Sequence, residues 1–385
     1  MSRPDSEEKG SLRNLSPGEL GKLSSLASIS TALSRAKGGF LEVASTMLDS
    51  LLPTLGAERL AVLVDAPYAH LSLYRQLTEN GVDDTPFQFS SSVVKRVKET
   101  GEPWQTLDAF QDEKVSMTAS LFLSGARSVM CVPLRGTGQL YADNRLGPNK
   151  FEEPELALLT ILADLLSAAL ERARSTERLA AANAELRASR EETITRLAVA
   201  ADWRDTETAN HIERVGHYAA SLAHWAGAPP DYVEQIRLAS KMHDVGKLGV
   251  PDAILRKPGK FTPEEFEEMK KHTNMGGRIL EGSNSPLIQM AHRIALSHHE
   301  RWDGKGYPHG IAGDAIPMEG RITAICDAFD AMCSRRVYKE AYPLDMAFGV
   351  IQDELGKHFD PNLGQLFIDH RAEVLEIKNM MQGEG

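Results

Sequence analysis

The sequence predicts two folded domains joined by a long helix: an α+β N-terminal domain, a connecting helix and an all-α C-terminal domain. Three observations predict it. Short apolar and β-branched runs, RLAVLVD at residues 59–65 and VMCVPL at 129–134, punctuate the first half with strand signals. From Pro154 to about residue 200 no glycine or further proline interrupts the chain. Beyond residue 200, long amphipathic segments alternate with glycine- and proline-bearing turns near 227–230, 257–260, 282–286 and 304–313.

Taken in order, residues 1–15 are polar and are expected to be disordered. Ser16, Pro17 and Glu19 form a helix-start signature, followed by Leu20, Leu23, Leu26, Ile29 and Leu33 at helical spacing. A second amphipathic helix is expected over 40–52, then strands at 59–65, 87–90, 129–134 and 139–143, with a helix over 92–98. An α+β domain over residues 16–170 is the consequence. The helix former from Pro154 to about residue 200, whose part 171–200 is the connecting helix, carries Leu165, Leu179 and Leu186 on one heptad position and Leu162, Ala169 and Leu197 on the other. Arg172, Thr176, Asn183, Arg190 and Thr193 fall on the same stripe. Such a stripe is too polar for a strong zipper; it suits first a parallel dimeric coiled coil with polar, register-setting positions and second a single helix packed on its own domains. The all-α domain then occupies 201–385.

Composition sets limits on function. With 42% hydrophobic and 25% charged residues in 385, the chain has the balance of a globular protein. Lys and Arg number 43 against 54 Asp and Glu, a net charge of −11, which excludes general attraction to nucleic acid phosphates. Any anionic ligand must be held by local cations. Three cysteines without CxxC spacing exclude a disulfide framework, and no apolar run is long enough to insert in a membrane. A cytoplasmic location is expected.

Histidine is the informative residue. Of 12, all but His70 lie between His211 and His370, where an even spread would place roughly five. Glu207 and His211 are four apart and share a helix face; His243 and Asp244 are adjacent, as are His298 and His299; His272 stands on a helix, and Asp327 opens an apolar segment. Five imidazoles and three carboxylates without thiolate suit divalent Mn, Fe or Co rather than a soft metal, and exceed what one tetrahedral zinc needs. By contrast His217, His224 and His292 read as ordinary helix histidines.

The blocks HDVGKLGVP (243–251), HHERWDGKGYP (298–308) and DAFDAMCSRR (327–336), with ETANHIERV (207–215), KPGKFTPEEFEEMKKH (257–272) and HFDP (358–361), resemble the HD-GYP phosphodiesterases. These are a branch of the HD metal-dependent phosphohydrolases, and the resemblance runs from about 190 to 370. It implies metal ligation by Glu207, His211, His243, Asp244, His272, His298, His299 and Asp327, with Asp244 bridging two ions. The ions are two or three divalent metals, iron first and manganese second, the acid at Glu207 going with the trinuclear type. It further implies that Asp244 and Lys247 are catalytic, that Lys247 and Tyr307 contact substrate, and that Arg336 and Lys339 hold its second phosphate. Ala209 and Val337 stand where the family usually has Gly and Pro.

The expected activity is hydrolysis of cyclic di-GMP to the linear dinucleotide pGpG or onward to GMP. The alternatives are a non-hydrolysing cyclic dinucleotide receptor and a phosphohydrolase acting on cyclic GMP-AMP or another nucleotide. The N-terminal domain resembles a GAF sensory domain through SVMCVPL (128–134), LYADNR (140–145) and the helix from 151 to 174. Asn144, Arg145, Phe151 and Glu155 partly echo the motif of cyclic-nucleotide-binding GAF domains, with Arg in place of its Lys and without its terminal acid pair. The resemblance implies a small-molecule ligand or a dimerising role there. A homodimer through the connecting helix is expected.

Overall fold

The structure is a computed structural model that describes residues 27, 31, 40–65, 72–109, 111, 119–147, 151–202, 209–334 and 341–380. The stretch 1–15 and the first expected helix, apart from Ala27 and Thr31, lie outside the described residues. The chain divides into two compact units, Met1–Asn183 and Ala184–Gly385.

The first unit holds α1 (Phe40–Leu55), β1 (Arg59–Val64), β2 (Leu73–Thr78), β3 (Gly81–Asp83), α2 (Ser91–Thr100), β4 (Trp104–Thr106), α3 (Ala119–Ser124), β5 (Ser128–Leu134) and β6 (Gly138–Asn144). The strands form one antiparallel sheet in the order β3-β2-β1-β6-β5-β4. Alternate residues of β1 point to opposite cores. Leu60, Val62 and Val64 join Leu48, Leu51 and Leu52 of α1, and Ala61 and Leu63 join Val93 and Val97 of α2. Burial on both faces is why RLAVLV reads as a continuous apolar run rather than an alternating one.

The strand expected at 87–90 does not form. Phe87 and Phe89 are instead tied by their rings, 5.5 Å from Tyr74 and 5.8 Å from Tyr141, and the Ser90 N–H donates to the Tyr141 hydroxyl at 3.4 Å. Aromatic burial there mimics a strand signal without a ladder. Conversely, β2 and β3 form the hairpin that the sequence reading missed, joined through Glu79 and Asn80 to Gly81 at φ +114°, a left-handed position that favours glycine. The registered pair Arg59 and Asp143 carries a buried ion pair, with Arg59 Nε and Nη2 each 2.6 Å from the carboxylate.

Helix α4 (Glu153–Asp202) begins in the first unit and ends in the second. The second unit continues with α5 (Ala209–Trp225), α6 (Pro230–Ala239), two 3₁₀ turns (Ser240–Met242 and Val245–Gly249), α7 (Asp252–Leu255), α8 (Pro263–Leu280) and α9 (Pro286–Ser297). After a 3₁₀ turn at Gly313–Ala315 come α10 (Met318–Cys333), α11 (Leu344–Asp353), α12 (Pro361–Asp369) and α13 (Arg371–Met380). The expected turns fall between these helices. Two of the sequence blocks prove to build scaffold. Thr262 and Glu265 close a capping box that starts α8, and Asp360 of HFDP caps α12 while pairing with Arg321 at 2.6 Å. The core packs Tyr218 of α5 against Phe329 of α10 and Phe367 of α12, all fully buried.

Replacing Arg59 by Met strands the Asp143 carboxylate, whose pKa burial already raises despite Arg59. The full-length chain is expected to lose about 3–5 kcal/mol in denaturant unfolding of the first unit. A loss under about 1 kcal/mol would mean that the pair behaves as a solvated one.

Candidate metal centre

The second unit brings seven of the eight sequence-selected donors together; the eighth, Glu207, lies outside the described residues. His211 projects from α5 and Asp327 from α10. His243 and Asp244 sit between the two 3₁₀ turns, His272 lies in α8, and His298 and His299 follow the last turn of α9. Their ligand atoms form two groups. One is Asp244, His272, His298 and His299; the other is His211, His243 and Asp327; within each group the atoms lie within 4.8 Å of one another.

Local structure aims these groups. The 3₁₀ turn eclipses side chains three apart, so Lys247 lies over Asp244, with its ammonium 2.7 Å from Oδ2. The tighter turn thus sets Lys247 on Asp244 rather than on His243, four residues back. Gly246 is required beside them, because a Cβ there would land on the carbonyl oxygen of His272. Helix α9 stops at Ser297, which releases His299 from the roughly 100° offset of helical neighbours and leaves its ring 4.1 Å from that of His298.

The imidazoles are held from behind. Nδ1 of His243 meets the carbonyl of Ser240 at 2.8 Å, Nδ1 of His272 that of Met269 at 2.7 Å, and Nδ1 of His298 that of Ile294 at 3.0 Å. A carbonyl only accepts, so Nδ1 carries the proton and Nε2 presents a lone pair inward. These three Nε2 atoms and Asp244 Oδ1 are buried without a hydrogen-bond partner. They nevertheless crowd together: Asp244 Oδ1 is 3.3 Å from His272 Nε2 and 3.6 Å from His298 Nε2, and Asp244 Oδ2 is 3.2 Å from His243 Nε2. The two oxygens of one carboxylate therefore face the two donor groups. Asp327 Oδ1 lies 3.5 Å from His211 Nε2 and 3.8 Å from His243 Nε2.

The electrostatics suit cations. Burial lowers His272 to about 4 and pushes His299 well below its ordinary value, which keeps both neutral as ligands must be. Burial would lower His243 too, but Asp244 and Asp327 outweigh it and hold that imidazole up at about 9, so without a cation its Nε2 also carries a proton, which a bound ion would displace. Asp244 stays ionised against the cost of its burial because Lys247 and His243 pull its pKa well down. The cluster thus demands positive charge at the point where the partnerless nitrogens converge. Inward lone pairs, a shared carboxylate and no thiolate fit divalent ions of the N/O-preferring kind.

Tyr307 lies against this cluster, its ring stacked 4.8 Å from His299, and burial raises its phenol so that it stays protonated. The Lys270 ammonium sits 5.5 Å from the same ring. Arg336 and Lys339 lie outside the described residues. The sequence reading missed the supports. Buried Glu300 accepts the N–H groups of His309 at 2.7 Å and Gly310 at 3.2 Å, fixing the loop that bears Tyr307. Asp330 of α10 bonds His211 Nδ1 at 2.7 Å. Both acids stand inside quoted blocks, and their signal was an acid beside or one turn from a ligand.

Against known proteins, a family model described as HD domain matches residues 157–363, and one described as GAF domain matches residues 40–170. The first begins well upstream of residue 190, from which the resemblance was read in the sequence. A cyclic di-GMP phosphodiesterase of Thermotoga maritima is 48% identical over 176 residues, 46% of this chain and 48% of that protein. The cyclic di-GMP phosphodiesterase response regulator RpfG of Xanthomonas campestris pv. campestris is 42% identical over 208 residues, 54% and 55% of the two chains. The 3'3'-cGAMP-specific phosphodiesterase 2 of Vibrio cholerae is 42% identical over 194 residues, 50% and 37%. The chain spans about half the length of the first two of these relatives and less of the third.

Manganese(II) supplied at about 100 times its Kd is expected to stabilise the second unit by about 2.7 kcal/mol, seen as a rise in melting temperature that EDTA reverses. His298→Ala should shrink the rise. An unchanged melting curve would count against a metal centre here.

Proposed function

The chain belongs to the HD domain family, and on that premise we propose that it is a metal-dependent phosphodiesterase that hydrolyses cyclic di-GMP to pGpG or GMP. The observation that carries the proposal is the pair of donor groups on either side of Asp244, which belongs to one through Oδ1 and lies 3.2 Å from His243 of the other through Oδ2, with buried Nε2 atoms in both. His211, His243 and Asp327 would hold one ion, and His272, His298 and His299 the other, with Asp244 bridging. Glu207 would serve a third. Iron is the first candidate and manganese the second. Divalent ions bound there would supply an activated water at neutral pH and charge compensation for phosphoryl oxygens.

The chain's own groups do the rest. Asp244 is kept ionised by Lys247, and the same ammonium is assigned to donate to a phosphoryl oxygen. Protonated Tyr307 locks the plane of His299 by stacking and offers a hydroxyl and a ring face to the substrate. Arg336 and Lys339 are assigned to the second phosphate by family resemblance. Residues 16–170 are assigned as a GAF-like regulatory domain with a small-molecule or dimerising role, and 201–385 as the catalytic domain. We assign a cytoplasmic location; among the described residues no helix is long and apolar enough to cross a membrane.

The connecting helix, 171–200, is assigned to homodimerisation. Residues 175–190 are exposed all round, and Leu179 and Leu186 there are 64% and 67% exposed. A seam of two such helices would cover them.

Chain loaded anaerobically with Fe(II) or Mn(II) should convert cyclic di-GMP to linear product on chromatography, faster than it converts 3'3'-cyclic GMP-AMP. Asp244→Ala should cut the rate more than about 100-fold. Turnover undiminished by that change would refute the mechanism, binding without turnover would favour a receptor, and preference for cyclic GMP-AMP would reassign the substrate. Leu179→Asp with Leu186→Asp should halve the mass found by light scattering. A wild-type chain that already runs as a monomer would refute the dimer.

A further inference from the structure

We propose that Asp330 is a positioning residue that makes one half of the metal centre separable from the other. The inference rests on the metal-centre reading above and deepens it. Among the ligand imidazoles with a bonded Nδ1, His243, His272 and His298 lean on carbonyls three or four residues back in their own turns. His211 is different: its Nδ1 is 2.7 Å from Oδ2 of Asp330, which belongs to another helix 119 residues away in sequence.

Asp330 is fully buried and lies outside both donor groups. Its oxygens are already engaged. Oδ1 accepts Arg214 Nε–H at 2.6 Å, and Oδ2 accepts Arg214 Nη2–H at 2.8 Å and the Ser334 hydroxyl at 3.2 Å as well as His211. The bidentate guanidinium compensates the buried carboxylate and fixes its plane, and that plane fixes the His211 ring. A carboxylate behind a ligand imidazole also strengthens its donor nitrogen more than a neutral carbonyl does. Within the group of His211, His243 and Asp327, then, one ligand depends on tertiary packing of α5 on α10. No such dependence exists for His272 and His298, whose supports are local. Neutralising Asp330 should weaken the first group and spare the second.

The test is Mn(II) binding, followed by the paramagnetic resonance of the free ion, on full-length wild type and Asp330→Asn, with His211→Ala and His272→Ala marking loss of each half. Wild type should bind at least two ions. In Asp330→Asn one ion should lose about 10–100-fold in affinity while another stays within about twofold of wild type, matching the pattern of His211→Ala. If the single change unfolds the chain by stranding Arg214, the double variant Arg214→Gln with Asp330→Asn removes both charges and carries the same expectation. Two ions bound with wild-type constants, or both weakened alike, would overturn the inference and leave the metal centre standing. A wild type that binds no Mn(II) would sink the metal centre and this inference together.

Discussion

The centre depends on hydrogen bonds that His211, His243, His272 and His298 make on the side of the ring facing away from it. A histidine ring can present either nitrogen, and only a fixed partner decides which one carries the proton. At His243 and His298 the same carbonyl takes both the backbone N–H and Nδ1: Ser240 O at 3.1 and 2.8 Å, Ile294 O at 2.9 and 3.0 Å. The backbone that forms the turn therefore also sets the tautomer. This places converging lone pairs in the interior, where each uncompensated polar atom costs roughly 1–3 kcal/mol. Such a cost persists only where something outside the side chains themselves satisfies those atoms.

Charge follows the same logic. The net charge of −11 looks unfavourable for an enzyme of anionic esters, and residues 190–385 alone carry 30 acids against 23 basic groups. Part of that deficit belongs to the centre. Asp244 and Asp327 lie beside buried imidazoles, of which His272 and His299 are kept neutral while His243 is held protonated by those same carboxylates, so the local negative charge is a demand for cations rather than a barrier to phosphate. Lys247 meets part of it by direct contact with Asp244, and divalent ions would meet the remainder while adding attraction for the substrate.

What was legible in the sequence follows from how local each cause is. The donors could be read because their types are rare and their spacing is set within single turns. The supports were harder to read: Asp330 and Glu300 show only as acids near ligands, and the partner of Asp330 lies 119 residues away, where no periodic trace points to it. In the first unit, β1 and β5 were legible from β-branched runs, whereas β2, LYRQLT, is only half-buried and lacks that signal. Phe87 and Phe89 gave a false strand because aromatic burial and strand pairing share a composition. The contact of Lys247 with Asp244 was not legible, because a 3₁₀ turn and an α-turn have the same sequence appearance at this length.

Helix α4 shows how two expectations that looked exclusive can hold on different faces. Leu162 and Ala169, two of the heptad positions, are buried in the first unit's own core and cannot serve a seam. In the second unit the buried apolar positions of α4 are Ile194, Ala198 and Ala201, spaced by four and three, while the heptad residue Leu197 stays 58% exposed. Polar ties fix the phase of this end. Glu191 takes a bidentate contact from Arg237 at 2.5 and 2.7 Å, and fully buried Lys241 reaches Thr195 at 3.1 Å and Glu213 at 2.7 Å. Lys241 follows Ser240, whose carbonyl holds His243. One face of the helix is thereby committed to the turn that carries the metal donors, and the heptad face from 179 to 197 is left outward. A helix packed on its own domain and a helix paired with a second copy use different residues, so the polar character of the stripe is no argument against either.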